Sequence, residues 1–84
     1  MQWQEQRFVY LIRSDRDGRL YTGLTSDVQR RLGVHNSGGS VSTAGHRPWR
    51  LVVCLEFINE RSAIAFEKYL KTGSGRAFAM RHFL

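Results

Sequence analysis

Acidic residues are missing from two long stretches of this 84-residue chain. None lies between Asp27 and Glu56, an interval that holds Arg30, Arg31, Arg47 and Arg50. None follows Glu67, where Lys68, Lys71, Arg76 and Arg81 remain. Lysine is scarce too: Lys68 and Lys71 are the only two, so arginine carries most of the +6 net charge. Guanidinium forks match phosphate oxygens, and two acid-free basic regions point to a polyanionic partner. Charge alone leaves open a protein that is basic without such a partner. The single cysteine, Cys54, excludes an internal disulfide. Within the apolar run LVVCLEF it is expected to be a buried thiol in a reducing compartment. No run approaches the roughly 18 apolar residues of a membrane span. The opening MQWQEQRF has no signal-peptide core, so a cytoplasmic location is expected.

What is present suffices for one core. Hydrophobic residues make up 42% of the chain, a normal globular share. The length points to a single domain over 1–84. A domain of this size buries about 60–65% of its unfolded surface, so every element must serve one core. FVYLIR (8–13) reads as a strand, SDRDG as a turn and RLYTGL (19–24) as the returning strand. Ser26 and Gln29 have capping-box spacing, with Asp27 in the first turn, so a helix is expected from there to about Asn36. Ser37-Gly38-Gly39 ends it. SGGSVSTAGHRPW (37–49) reads as a long polar loop, a length usually reserved for function or mobility. RLVVCLEF (50–57) is a third strand. Asn59 can cap a helix over ERSAIAFEKYLK that Gly73 stops, and Ser74 can cap a last helix over GRAFAMRHF. The order β-β-α-β-α-α predicts an α+β domain with a three-stranded antiparallel sheet flanked by helices.

Helical and strand periodicity sort the polar residues. On the first helix Val28, Leu32 and His35 form one stripe, with Arg31 beside it and Arg30 facing away. Arg31 can therefore lie along the core edge or face a ligand, and His35 can simply end the stripe or take part in chemistry. On the second long helix Ala63, Phe66 and Leu70 are the apolar side and Glu67 sits at its edge. A carboxylate there is expected to be salt-bridged, for instance to an arginine, or to hold a metal ion. Tyr10 and Tyr21 share a sheet face only if paired residue numbers in the hairpin sum to an odd value, which needs an even-length loop such as 15–18.

Taken together these residues form a known pattern. The chain resembles the GIY-YIG nuclease superfamily, especially its small stand-alone bacterial members, and is similar to the N-terminal nuclease domain of the bacterial excinuclease ABC. The first motif reads Phe8-Val9-Tyr10 and the second Tyr21-Thr22-Gly23, with Gly23 its structural glycine. Arg31 stands ten residues after the second tyrosine, His35 one turn later and Glu67 on the following long helix. HNSGGS, Ser42-Thr43, Pro48-Trp49 and FEKYLKTGSGR also look like the small-protein subgroup, and the match covers about residues 8–76.

The resemblance implies a metal-dependent phosphodiesterase, an endonuclease cutting DNA, with structured or damaged DNA among its targets. It implies that Glu67 binds a single Mg2+ or Mn2+, that Tyr10 and Tyr21 position or deprotonate the attacking water, that Arg31 holds the scissile phosphate, and that His35 orients the nucleophile or assists proton transfer. Arg30, Arg47, Trp49, Arg50, Lys68, Lys71 and Arg76 are then the expected nucleic-acid contacts, with DNA favoured over RNA. Arg81 and His46 are further candidates. Leu24 stands where some members carry a lysine. That departure motivates the alternative of a catalytically inactive nucleic-acid-binding module with the same fold. A protein-interaction domain with a basic surface is a third reading.

Overall fold

The computed structural model describes residues 4–84. The first three residues, part of the MQWQEQRF stretch, lie outside the described residues. Strand β1 (Phe8–Ser14) turns back into β2 (Leu20–Thr25). Helix α1 (Val28–Ser37) and a short α2 (Val41–Ala44) lead to β3 (Trp49–Glu56), and α3 (Glu60–Leu70) and α4 (Gly73–His82) complete the chain. The sheet is antiparallel throughout, in the order β2-β1-β3. This is the expected α+β architecture, with α2 inserted where a loop was expected.

The hairpin register has the parity that sets Tyr10 and Tyr21 on one face, which the sequence allowed but left open. Tyr10 pairs with Gly23 and Ile12 with Tyr21, and the Ser14 N–H donates to Arg19 O at 2.8 Å across the 15–18 loop. Tyr10, Ile12 and Tyr21 therefore share one face. Val28 and Leu32 of α1 cover that face together with Trp49 and Leu51 of β3. On the opposite face Val9 and Leu11 meet Ala63, Leu70 and Ala79 of α3 and α4, with Val52, Val53, Phe57, Phe66 and Phe78 around them. Fully burying each such aliphatic or aromatic side chain contributes about 1.5–3 kcal/mol.

An irregularity in β3 decides which of its residues serve which core. Strict alternation would put Trp49, Leu51, Val53 and Leu55 on one face. Opposite Leu11 and Ile12 the register shifts by one: Leu11 pairs with Val53, but Ile12 pairs with Leu51. The bulge at Val52 turns Trp49 and Leu51 toward α1 and leaves Val53 toward α3 and α4. It also corrects the expectation for Cys54. That thiol lies opposite Tyr10 in the β1–β3 ladder and is exposed.

The helix ends differ from the expected caps. Asp27, not Ser26, caps α1, accepting the Arg30 N–H on Oδ1 at 3.0 Å. Thr72, not Ser74, caps α4, accepting the Gly75 N–H at 3.1 Å, and Gly73 starts that helix rather than stopping α3. Asn59 caps α3 as expected. The α3–α4 corner is tight: a Cβ on Gly75 would overlap the Tyr69 carbonyl and come within 2.6 Å of Leu70 Cα.

The 37–49 segment is pinned rather than loose. Asn36 brackets the backbone of Trp49, accepting its N–H at 2.6 Å and donating Nδ2–H to its carbonyl at 3.0 Å. The Ser14 hydroxyl donates to His46 O at 2.6 Å, and the Asp15 N–H donates to Pro48 O at 2.9 Å. His46 Nδ1 lies 2.6 Å from Asp17, whose carboxyl is held down to about 2 by the Arg19 backbone N–H and by His46.

Two glycines test this packing. Gly75→Ala is expected to destabilise the fold by at least ~1–3 kcal/mol, because the neighbouring atoms are rigid backbone. In a domain of this size that lowers Tm by roughly 4–8 °C for each kcal/mol. Gly33→Ala, where an added Cβ meets open space, should be neutral or stabilising in the same melting experiment.

Candidate active site

The cluster begins with a glycine. Gly23 lies across the ladder from Tyr10, and a Cβ there would stand 2.7 Å from Tyr10 Cε1 and overlap its hydroxyl. The missing side chain lets the Tyr10 phenol lie over β2, the outer strand on that side of the sheet. Tyr10 is 2% exposed, and its Oη is 2.8 Å from His35 Nε2. His35, on the last turn of α1, is fully buried. Its Nδ1 is 2.8 Å from the hydroxyl of Thr43 on α2, which is also buried.

Tyr21 meets the same imidazole edge-on. Their ring centroids are 4.9 Å apart, and those of Tyr21 and Tyr10 are 6.3 Å apart. Tyr21 is half-buried, and its hydroxyl takes no partner among the described residues. Trp49 closes the cluster from β3, with its centroid 6.5 Å from His35. Arg31, one turn before His35, is half-buried and acts electrostatically on both Tyr10 and His35. Arg30 is exposed, so the two adjacent arginines divide as their helical positions predict.

The titration behaviour follows from this packing. Burial pushes the Tyr10 phenol above its ordinary value, against the pull of the Arg31 cation, while Tyr21 and Glu67 add to the rise. Burial also lowers His35, and the Arg31 charge lowers it further. At neutral pH the pair is therefore a neutral phenol bonded to a neutral imidazole.

Glu67 comes from the other layer, since α3 packs beneath β2 and β1. Its side chain is 13% exposed, and its charge is felt at Tyr10. The salt bridge that one reading expected is present, with Lys71, one turn along α3, in place of an arginine. Among the described residues no three acidic, histidine or cysteine side chains gather as a ligand cage. A lone carboxylate suits Mg2+ or Mn2+, which keep bound waters and draw further oxygens from a phosphate, whereas structural zinc needs four protein ligands. The donor set fits the former.

The expected nucleic-acid contacts fare unevenly. Arg30, Arg47, Arg50, Lys68, Lys71 and Arg76 are all exposed, as is Arg81. Arg50 pairs with Asp15 on the hairpin turn, and Arg47 donates Nε–H to Ala44 O at 2.7 Å. Trp49 is corrected: it is 5% exposed, and its Nε1–H donates to Thr43 O at 2.9 Å, so its ring is core and cannot stack on a base. His46 is half-buried and engaged with Asp17. Beside β2 an open groove runs from Tyr21 and Thr22 to Lys71 and Arg76.

Sequence reasoning gave no role to Thr43 or Asn36. Periodicity cannot reveal Thr43, because its contact with His35 depends on the path of the 37–49 segment. The available signal was its place in a polar run too long to be a simple connection.

Known proteins share both sequence and architecture with this chain. The GIY-YIG catalytic domain matches residues 6–80. The UPF0213 protein of the Orgyia pseudotsugata multicapsid polyhedrosis virus is 40% identical over 75 residues, covering 87% of this chain and 71% of that protein. The UPF0213 protein of Oceanobacillus iheyensis is 38% identical over 68 residues, covering 80% and 78%. The solution NMR structure of the UPF0213 protein from Bacillus halodurans superposes with a TM-score of 0.56 at 36% identity, covering 90% of this chain and 81% of that one. With its sheet order, its tyrosine hairpin and a match along nearly its whole length, the chain belongs to the GIY-YIG family, beside the UPF0213 proteins.

Proposed function

We propose that the 1–84 domain is a divalent-metal-dependent endonuclease that hydrolyses phosphodiester bonds in DNA. One observation carries this reading: the Tyr10 hydroxyl meets His35 Nε2 at 2.8 Å, Tyr21 packs against the same imidazole, and Arg31 and, more weakly, Glu67 act on the Tyr10 phenol.

The chemistry needs a positioned water, a proton acceptor and positive charge at the phosphoryl oxygens. The Arg31 guanidinium supplies charge that is fixed and always present. Tyr21, with its hydroxyl free, orients the attacking water. Tyr10 is too poor an acid to wait as a phenolate. It takes the water's proton onto Oη while passing its own proton to His35 Nε2, so the hydroxide equivalent adds to phosphorus and no free phenolate forms. The leaving oxygen departs on the opposite side and takes a proton from solvent. The resulting imidazolium sits in a buried site beside Arg31, and both conditions push its proton back out. Glu67 would hold the Mg2+ or Mn2+, which when bound supplies Lewis-acid stabilisation of the developing charge.

The groove beside β2 gives the strand a path, with Lys71 and Arg76 beside phosphates. The binding-only alternative draws on one observation: Lys71 occupies one Glu67 oxygen. Cleavage decides between the two readings.

In a nicking assay on supercoiled plasmid and branched DNA with Mg2+ or Mn2+, the wild type is expected to cut and Glu67→Gln is not. Equal background from both proteins would sink the nuclease reading. Arg31→Ala is expected to lose roughly 10²–10³-fold in kcat, the usual cost of one fixed transition-state donor. Because the neutral imidazole is the active form and its pKa is lowered, the acid limb of the kcat/KM profile should lie below the ordinary histidine value of about 6.5. A limb above that value would rule out His35 as the acceptor. If four phosphates are neutralised, affinity should fall with salt at a log–log slope of about −3 to −4.

A further inference from the structure

We infer that Thr43 is a positioning residue: its hydroxyl accepts the His35 Nδ1–H and so reserves Nε2 to accept the Tyr10 hydroxyl proton. The inference deepens the proposed function, resting on that reading for its effect on cleavage. The direction of the hydrogen bonds belongs to the free protein and is tested there.

Counting protons selects this direction. Tyr10 and Thr43 each carry one hydroxyl hydrogen, and a neutral imidazole carries one ring hydrogen. Tyr10 is 2% exposed, and its hydrogen-bonded acceptor among the described residues is His35 Nε2, at 2.8 Å. Arg31, the other group acting on that phenol, only donates. Thr43 is 1% exposed and has two acceptors in reach, His35 Nδ1 at 2.8 Å and Ser40 O at 3.4 Å. With the hydrogen on Nδ1, every donor is matched: Nδ1–H to Thr43, the Thr43 hydroxyl to Ser40 O and the Tyr10 hydroxyl to Nε2. With the hydrogen on Nε2, the Tyr10 hydroxyl faces a donor and keeps no acceptor among the described residues. A buried unsatisfied hydroxyl costs free energy, so the first arrangement prevails.

The fold holds Thr43 where this requires. The Thr43 carbonyl accepts the Trp49 indole N–H, and the backbone of Trp49 is bracketed by Asn36, the neighbour of His35 on α1. Both ends of the 37–49 segment are thus tied to the helix that carries the imidazole. The His46–Asp17 contact and the Ser14 bond to His46 O anchor the same segment to the hairpin that carries Tyr10. A buried threonine needed only for packing would tolerate valine, which has the same shape. A threonine that sets a tautomer would not.

The experiment is a long-range 1H–15N NMR spectrum of the histidine rings in wild type, Thr43→Val and Thr43→Ser, beside plasmid-nicking kinetics. The wild-type His35 ring is expected to be protonated on Nδ1 and bare on Nε2. Thr43→Val should shift the ring toward the Nε2–H form and lower kcat by roughly tenfold, about the worth of one hydrogen bond, with KM little changed. Thr43→Ser should restore both. A wild-type ring protonated on Nε2 overturns the inference whether or not the valine variant folds. So does a folded valine variant whose tautomer is unchanged, or whose kcat matches wild type. If the wild type shows the Nδ1–H tautomer yet cuts no DNA, the hydrogen-bond assignment is supported and it is the nuclease reading that fails.

Discussion

The buried contact between the Tyr10 hydroxyl and His35 Nε2 joins the two halves of this molecule. It links the hairpin to α1 at a place where His35 is fully buried and Tyr10 is buried but for 2% of its surface. A polar pair of that kind is tolerated only when each member is satisfied. The structure is arranged to satisfy them. Gly23 clears room for the phenol, the hairpin register sets Tyr21 beside it, and the short helix α2 brings Thr43 to the far side of the imidazole. Moving any of these would leave a buried hydroxyl or ring nitrogen without a partner.

The two layers divide the work. The face toward α3 and α4 is apolar and aromatic, with Phe66 and Phe78 packed edge to face at 6.2 Å. It gathers the larger of the two hydrophobic clusters. The face toward α1 carries the polar cluster and has fewer aliphatic residues to hold it. Glu67 belongs structurally to the first layer but exerts its charge on the second. Because β2 is an outer strand, a residue of the stabilising layer can influence the polar one. Among the described residues no helix is long and apolar enough to cross a membrane.

Much of this was legible in the sequence. Elements whose identity is set by local pattern came through: the hairpin itself, the α1 stripe that buries His35 and exposes Arg30, and the long helix that places Glu67 at the edge of its apolar side; the hairpin parity was open in the sequence and is settled by the pairing of the strands. Features set by contacts distant in sequence did not. The Val52 bulge, which sends Trp49 inward and Cys54 outward, arises from the pairing of β3 with β1 and leaves no local mark in LVVCLEF. The caps at Asp27 and Thr72 each lie within two residues of the expected ones, and each competing side chain is a capping type. Thr43 stood out only as part of the Ser42-Thr43 pair, and its role was hidden because the course of 37–49 is fixed by Asn36, Ser14 and Asp17, none of which signals its partner in sequence.

The central claim is that a divalent ion and the tyrosine cluster share one cleft, with the ion held by the carboxylate whose charge reaches Tyr10. Titrating the 15N-labelled protein with Mn2+ and following paramagnetic broadening of its amide signals tests this most directly. The account predicts early, selective loss of signals around Glu67, Gly23 and Tyr21. Uniform broadening, or first loss at Asp15 and Asp17 on the hairpin turn, would contradict it.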